Sequence, residues 1–386
     1  MTTPIANWSY PTAIRFGAGR ISELAEACRA AGIDRPLLVT DRGLAAAPIT
    51  ERALDVLRGA GMAPGLFAEV KSNPVDANLD DGVAAFREGG HDGVVAFGGG
   101  SGLDLGKLIA FMAGQTRPVW DFEDIGDWWT RADADAIAPI VAVPTTAGTG
   151  SEVGRAGVLT NAATHTKKVI FHPRMMPAVV ICDPEMTVGM PPFITAGTGM
   201  DALAHALEAY CAPAYHPFSE GIAVEGMRLV FENLPRVLAD GGDLEARGHM
   251  MSAAAMGAIA FQKGLGAIHS MSHPVGSLHD THHGMTNAVF MPYVLAFNRP
   301  AIEGKLGRLA AWLGIAGGFD GFMAAVLALR QRVGVPHTLA GLGVGVENRQ
   351  LIAEMAVVDP TAGGNPVPLT VDAALGLFDA AMEGRV

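Results

Sequence analysis

A short apolar run leads directly into a glycine-rich turn at residues 93–107, Gly93-Val-Val-Ala-Phe-Gly-Gly-Gly-Ser-Gly-Leu-Asp-Leu-Gly-Lys107. Three successive glycines allow the backbone to turn tightly and to approach a ligand closely. Ser101 and Asp104 are spaced like a capping pair at the start of a helix. A strand, a glycine turn and a helix N-terminus together suit a pyrophosphate. The turn matches neither the Gly-x-Gly-x-x-Gly fingerprint nor the lysine-bearing phosphate loop, so a turn without a ligand stays open.

Three more apolar runs end at turn residues in the first half of the chain and alternate with helical patterns: residues 36–41, 137–144 and 178–183. This alternation predicts a parallel sheet with crossover helices. Beyond about residue 195 the segments are rich in alanine, leucine and methionine with helical spacing. The expected fold is therefore an α/β dinucleotide-binding domain over residues 1–192, followed by an all-α metal and substrate domain over residues 193–386. A compact join is expected near Pro191-Pro192.

Composition narrows the class of protein. The 386 residues exceed the usual size of a single core, which agrees with two domains. The net charge of −12 disfavours nucleic acid and anionic membranes as partners and favours a small-molecule substrate. We expect a cytoplasmic protein, because the first residues do not read as a secretory signal and no apolar run is long enough to span a membrane. The three cysteines are far apart and predict buried thiols rather than disulfides.

A second loop, residues 144–152, also follows an apolar run and offers hydroxyl groups and backbone donors. Loops at neighbouring strand ends of an open α/β sheet face the same crevice, where ligands bind. Asp41 ends another predicted strand. A carboxylate there accepts from the ribose hydroxyls of NAD and repels the 2′-phosphate of NADP, although an ordinary turn aspartate is the alternative. NAD is the expected cofactor.

Five of the twelve histidines lie between His269 and His283, a density that a packed core does not require. Upstream, Asp201 and His205 are four residues apart, so they share one face of a helix on which Glu208 also lies. A carboxylate and an imidazole on adjacent turns can share one cation with histidines of the later segment. The two segments together predict a site for a divalent metal. Oxygen and nitrogen ligands of this kind suit Fe(II), Zn(II) or another first-row ion, and they do not choose among them.

The ordered set of motifs resembles the iron-containing, or group III, alcohol dehydrogenase family, which shares its fold with glycerol dehydrogenase and dehydroquinate synthase. The resemblance runs from about residue 10 to the end. It rests on residues 98–107, 144–152, 183–192, 198–205, 264–274, 282–284 and 365–366.

This resemblance implies a role for individual residues. The family's metal ligands fall on Asp201, His205, His269 and His283, and its active-site histidine falls on His273. The resemblance assigns NAD binding to Asp41, Gly98, Gly99, Gly100, Ser101, Gly102, Thr145, Thr146, Thr149, Val153 and Lys167. Since Lys167 and Lys168 are adjacent, the register there is open by one residue. His279 and His282 have no assigned role.

The implied reaction is hydride transfer between NAD(H) and a small primary alcohol or diol, or its aldehyde. The metal, Fe(II) or alternatively Zn(II), polarises the substrate oxygen.

A hydroxy-acid or semialdehyde dehydrogenase of the same family is one alternative function. A non-redox lyase of the dehydroquinate synthase type is another, and the scarcity of lysines in the second half weighs against it. A maleylacetate-reductase-like enzyme and a binding protein with a degenerate site are disfavoured, because all four ligand positions are filled. The resemblance also implies a homodimer or a higher homo-oligomer.

Overall fold

The computed structural model describes residues 12–164 and 166–386 of the chain. These residues divide into two compact units. One unit comprises residues 12–146 and 150–189, and the other comprises residues 147–149 and 190–386. Each unit has its own class of secondary structure, a sheet with helices in the first and helices in the second.

A six-stranded parallel sheet forms the centre of the first unit. Its strand order is β1-β8-β5-β4-β2-β3, and each neighbouring pair is parallel. The strands are β1 (Ala13–Phe16), β2 (Pro36–Asp41), β3 (Gly65–Val70), β4 (Gly93–Gly98), β5 (Ile140–Pro144) and β8 (Val179–Cys182). The four predicted strands are β2, β4, β5 and β8, which confirms the predicted sheet.

The two strands that the sequence did not reveal lie at the edges of this sheet. β4, β5 and β8 are buried along their whole length, whereas three of the four residues of β1 are exposed and β3 is only partly buried. A strand buried on both faces reads as a continuous apolar run, and an edge strand does not.

Five helices belong to this unit: α1 (Leu24–Ala30), α2 (Arg42–Ala45), α3 (Pro48–Gly59), α4 (Asp76–Glu88) and α5 (Gly100–Met112). Apolar side chains of α1 and α3 pack on the sheet, and Ile21, Leu24, Leu57, Phe97 and Ile181 belong to one buried cluster. A separate antiparallel pair, β6 (Ala156–Asn161) and β7 (Thr166–Phe171), adds a hairpin that the sequence did not predict.

The second unit is helical, as predicted. Its helices are α6 (Pro192–Cys211), α7 (Pro217–Ala239), α8 (Leu244–Ala260), α9 (Ala267–His279), α10 (His283–Trp312), α11 (Gly318–Arg332), α12 (Arg349–Val357) and α13 (Val371–Glu383). α6 is buried on every side from Thr195 to Cys211. Among the described residues, none of the helices combines the length and apolarity needed to cross a membrane.

Candidate metal centre

Helix α6 carries a carboxylate and an imidazole into the interior of the helical unit. Asp201 and His205 are four residues apart and therefore lie on one face, one turn from each other. Their exposed fractions are 2% and 5%. The neighbouring face of α6, which includes Met200, Leu203 and Leu207, is equally buried. Burial of both faces means that the polar pair is directed at other protein groups rather than at solvent.

Two helix starts bring the remaining histidines to this pair. His269 is the third residue of α9, and His283 is the first residue of α10. His282 is the N-cap of α10, where its Nδ1 atom accepts a hydrogen bond from the N–H of Met285 at 3.3 Å. This capping contact gives His282 a structural role that the sequence left unassigned, and it fixes where His283 begins the helix.

The donor atoms of the four predicted ligands converge on one point. Oδ1 of Asp201 lies 3.9 Å from Nε2 of His205, 3.7 Å from Nε2 of His269 and 3.6 Å from Nε2 of His283. The ligand atoms of Asp201, His205 and His269 all lie within 4.8 Å of one another. The side chain of His283 is 30% exposed and lies at the open side of the group.

These separations fit a metal ion. A tetrahedral ion with bonds of about 2.1 Å holds its ligand atoms about 3.4 Å apart, close to the three distances from Asp201. One oxygen and three imidazole nitrogens form a donor set that first-row ions accept. The rings of His205 and His269 are stacked, with centroids 4.7 Å apart. The residues present therefore fit the group that the sequence predicted.

The electrostatics of Asp201 and His205 agree with this donor set. Burial opposes ionisation of Asp201, but the neighbouring imidazoles outweigh it and hold its pKa well below the usual range. Burial lowers the pKa of His205 to about 4, so this imidazole is neutral at physiological pH. A charged carboxylate beside a neutral imidazole is the ionisation state that metal binding requires. Burial opposes protonation of His269, but Glu208 and Asp201 outweigh it and raise the pKa of this ring to about 9. A metal would therefore displace a proton from His269.

Asn287, a residue that the sequence did not reveal, lies among these donor atoms. Its Nδ2 atom donates to Oδ1 of Asp201 at 2.7 Å and lies 3.1 Å from Nε2 of His283. Its Oδ1 atom accepts from the hydroxyl of Ser272. Asn287 follows His283 by four residues on α10, so an argument from helical faces identifies it once His283 is taken as a ligand.

His273 lies beside the group but is held differently. Its ring stacks on that of His283, with centroids 5.4 Å apart. Its Nδ1 atom lies 2.8 Å from Oδ2 of Asp359, and Oδ1 of Asp359 accepts hydrogen bonds from the backbone and the hydroxyl of Thr361. Burial opposes ionisation of Asp359, but His273 and Thr361 outweigh it and lower its pKa. Asp359 had no signal in the sequence, because it lies 86 residues away in a loop.

Gly284 explains why α10 and α6 approach so closely at the centre. A Cβ atom on Gly284 would lie 2.1 Å from the carbonyl oxygen of Gly197. Only glycine allows this contact, which brings His283 on α10 close to Asp201 on α6.

His279 ends α9, and its Nε2 atom is buried without a hydrogen-bond partner in the described part of the chain. The structure gives His279 no role in the centre.

The glycine turn of the first unit also has the predicted form. β4 ends at Gly98, Gly99 is the N-cap of α5, and this helix end has no side-chain cap in the structure. A Cβ atom on Gly99 would lie 3.1 Å from Thr146, so glycine allows the second loop to approach the helix N-terminus. Backbone N–H groups at such a terminus suit an anionic ligand.

The predicted capping pair in this turn is wrong. The hydroxyl of Ser101 donates to the carbonyl oxygen of Ser72 instead of capping α5. Asp104 accepts from the hydroxyl of Ser151 and, at 3.1 Å, from the N–H of Val158. Asp104 therefore ties α5 to the hairpin strand β6, a long-range role that the local spacing does not show.

The other residues predicted to bind NAD are spread over several elements. The N–H of Thr145 donates to the carbonyl of Gly98 at 2.9 Å. Asp41 ends β2 and accepts from the N–H of Leu44 at 3.0 Å, so it also caps α2. Val153 is buried. Lys167 lies on β7, opposite Thr160 of β6. Thr149 belongs to the helical unit. Lys168, the alternative to Lys167, pairs with Glu123 at 3.0 Å.

Comparison with known proteins gives matches along most of the chain. Residues 11–184 match the family described as iron-containing alcohol dehydrogenase, and residues 195–382 match the C-terminal part of the Fe-containing alcohol dehydrogenase family. A 4-hydroxybutyrate dehydrogenase of Cupriavidus necator is 41% identical, over 92% of this chain and 94% of its own. An NAD-dependent methanol dehydrogenase of Bacillus methanolicus is 34% identical, over 95% and 97% of the two chains. A crystal structure of a 1,3-propanediol oxidoreductase superposes with a TM-score of 0.93, at 37% identity, over 98% of this chain and all of the other.

Proposed function

Because the chain belongs to the iron-containing alcohol dehydrogenase family, we propose that it is an NAD-dependent dehydrogenase of small primary alcohols or diols. Asp201, His205, His269 and His283 would hold a divalent metal, with Fe(II) preferred and Zn(II) as the alternative. The observation that carries the proposal is the buried convergence of these side chains, three of which lie within 4.8 Å of one another.

The donor set provides one negative charge and three neutral imidazoles. When bound, the metal supplies a Lewis acid that polarises the oxygen of the alcohol or aldehyde. The low pKa of Asp201 keeps this carboxylate charged in the buried site. The exposure of His283 leaves one side of the group open to a substrate. With four protein ligands, binding of the substrate oxygen would need a fifth coordination position, for which this open side would leave room.

The first unit would hold NAD. When bound, NAD supplies the hydride acceptor at its nicotinamide ring. The N-terminus of α5 would direct its backbone donors at the diphosphate, and the glycines would leave room for it. Asp41 would accept from the ribose hydroxyls. The residues proposed for this role are those that the sequence indicated: Asp41, Gly98, Gly99, Gly100, Ser101, Gly102, Thr145, Thr146, Thr149, Val153 and Lys167.

His273 is the proposed catalytic residue for proton movement. The carboxylate of Asp359 holds Nδ1 of the ring, so Nε2 is the atom available for proton exchange with the substrate. The stacking of His273 on His283 places this imidazole next to the open side of the donor group. A proton leaves the hydroxyl of the alcohol as its carbon gives up a hydride, and His273 would accept or relay that proton.

The substrate test uses the purified protein with Fe(II) or Zn(II), NAD and a panel of methanol, ethanol, 1,3-propanediol and 4-hydroxybutyrate. We expect NADH formation that depends on the alcohol and is lost in Asp201→Ala. The 4-hydroxy acid is included because the Cupriavidus necator relative bears that name. Bound metal without alcohol-dependent NADH would contradict the proposal and favour a lyase or a binding protein.

A homodimer is the proposed assembly. β1 lies at one edge of the sheet, where Ile14 and Phe16 are 39% and 45% exposed. An exposed apolar edge strand is a template for pairing with a second chain. In light scattering, we expect a dimer that Ile14→Lys with Phe16→Lys converts to monomer, whereas Leu66→Lys on the opposite edge strand β3 leaves it intact. A monomeric unaltered protein would contradict this assembly.

The proposed location is the cytoplasm, in agreement with three free, buried cysteines.

A further inference from the structure

The carboxylate of Glu208 joins α6 to the start of α9. Glu208 follows Asp201 by seven residues, two helical turns, so it lies on the same face of α6. Its side chain is buried, with an exposed fraction of 6%. One oxygen, Oε1, accepts from the N–H of Ile268 at 2.6 Å, and the other, Oε2, lies 2.6 Å from Nδ1 of His269. Both oxygens are therefore occupied by groups of α9.

This contact determines which nitrogen of His269 carries the proton. A carboxylate only accepts hydrogen bonds, so the neutral ring bears its proton on Nδ1 and donates it to Oε2. The Nε2 atom is then without a proton, and it is this atom that lies 3.7 Å from Oδ1 of Asp201. A metal binds only the unprotonated nitrogen. Glu208 thus presents the correct tautomer of His269 to the centre.

The same carboxylate anchors the end of α9 on which His269 lies. The first N–H groups of a helix have no partner within the helix, and the N-cap here is Gly266, which has no side chain. Side chains of two residues distant in the sequence accept hydrogen bonds from these N–H groups instead. Asn365 accepts from the N–H of Ala267 at 3.0 Å, and Glu208 accepts from the N–H of Ile268. Asn365 anchors the helix without being within hydrogen-bond range of His269, whereas Glu208 does both.

We infer that Glu208 is a positioning residue for the metal, which fixes the tautomer and the ring orientation of His269 without being a ligand. The inference rests on the proposed function, since it assumes that His269 binds a metal. A carboxylate that accepts from the second nitrogen of a ligating histidine raises the basicity of that histidine, and losing such a partner costs about 10- to 100-fold in metal affinity.

The Glu208→Gln variant separates this role from simple packing. A glutamine has nearly the same volume, and its oxygen can still accept from the N–H of Ile268. Its amide nitrogen then faces Nδ1 of His269 and donates to it, which moves the ring proton to Nε2, where the metal binds. Glu208→Asp keeps a group that only accepts hydrogen bonds, on a side chain shorter by one methylene. Asn365→Ala is the matched control, because it removes the other anchor of α9 and leaves His269 and its carboxylate in place.

The experiment measures metal binding to the full-length protein. Each variant is stripped of metal and titrated with Co(II) and Zn(II) against a chelating dye, and the visible spectrum of the Co(II) form and the melting temperature are recorded. For Glu208→Gln we expect an affinity lower by about 10- to 100-fold and an altered Co(II) spectrum. Glu208→Asp should bind more tightly than Glu208→Gln. Asn365→Ala should melt at a lower temperature and keep a dissociation constant within about threefold of the unaltered protein, because its effect is on the helix end.

Three outcomes overturn the inference. Glu208→Gln with unaltered affinity and spectrum shows that the hydrogen bond does not position the ligand. Asn365→Ala with an equal loss of affinity shows that anchoring of α9 alone explains the effect. Glu208→Asp binding less tightly than Glu208→Gln excludes the tautomer argument. If the unaltered protein itself binds neither Co(II) nor Zn(II), the proposed metal site fails first, and this result is distinct from the other three.

Discussion

The Nδ1 atom of His273 lies 2.8 Å from Oδ2 of Asp359, so a loop near the end of the chain orients an imidazole beside the metal centre. Asp359 is itself held by two hydrogen bonds from Thr361. The carboxylate selects the tautomer of His273 and stabilises the ring when it gains a proton.

Asp359→Asn tests whether this pair moves a proton in the reaction. The amide is similar in size but has no charge to stabilise a protonated His273. We expect kcat to fall by about 10- to 100-fold, within the range of lost general acid–base catalysis, and the pH profile of kcat to change shape. Metal content should be unchanged, since Asp359 is not among the four proposed ligands. An unaltered pH profile with an unaltered kcat would remove His273 from the proton path.

Asp201→Ala tests the metal centre itself. Asp201 is the only carboxylate of the proposed donor set, and its removal leaves three imidazoles with no negative charge to offset the cation. We expect elemental analysis to find little bound metal and turnover to be lost, and His283→Ala should behave similarly. His279→Ala is the control, because this histidine has no proposed contact with the metal. Normal turnover in a metal-depleted Asp201→Ala protein would refute the assignment.

Gly284→Ala tests the close approach of α10 to α6. The added methyl group would lie 2.1 Å from the carbonyl oxygen of Gly197, so the helices must separate and His283 must shift. We expect a loss of about 1–3 kcal/mol in the free energy of unfolding, together with weaker metal binding. Gly304 lies on the same helix, and a Cβ atom added there would meet nothing within 4 Å. Gly304→Ala should therefore be neutral or stabilising by roughly 0.5–1 kcal/mol. Equal behaviour of the two variants in chemical denaturation would contradict the packing argument.

Glu152 gives a pH dependence of stability with a defined sign. Burial raises the pKa of this carboxyl from 4.5 to about 7, although Lys107 partly offsets the effect. Between these two values the folded protein keeps the proton and the unfolded chain releases it. The free energy of unfolding contributed by this group therefore falls as the pH rises through the window, by up to about 1.4 kcal/mol per pH unit. In urea unfolding, the free energy of unfolding of Glu152→Gln should depend less on pH over that window than the free energy of unfolding of the unaltered protein. A variant with the same slope as the unaltered protein would exclude Glu152 as its source.

Asp41→Asn tests the preference for NAD over NADP. Asparagine keeps the cap on the N–H of Leu44, because both side chains are good N-caps, and it removes only the charge. We expect the ratio of kcat/KM for NADP to that for NAD to rise by about tenfold or more, as repulsion of the 2′-phosphate is lost. Asp76→Asn, a change at a half-buried position in the first turn of α4, is the matched control. An unchanged ratio would leave Asp41 with its capping role alone.

The interior of the sheet was predictable from the sequence, and its edges were not. β2, β4, β5 and β8 lie side by side in the middle of the sheet, where burial on both faces requires continuous apolar runs. β1 and β3 lie at the edges, and their mixed exposure leaves no such run. The hairpin of β6 and β7 was missed for the same reason, since most of its residues are only partly buried.

For the candidate site, the sequence by itself determined the type of chemistry. The spacing of Asp201 and His205 follows from helical geometry, and the later histidines were recognisable because their density exceeds what a core needs. The partners of these residues depended on the tertiary structure. Asn287 comes from α10, and both Asp359 and Asn365 come from the connection between α12 and α13. The role of Glu208 became clear only when α9 was placed against α6. Local periodicity records which face of an element is polar. Only the packing of elements decides which distant donor or acceptor satisfies each buried group, because that choice depends on contacts between residues far apart in the chain.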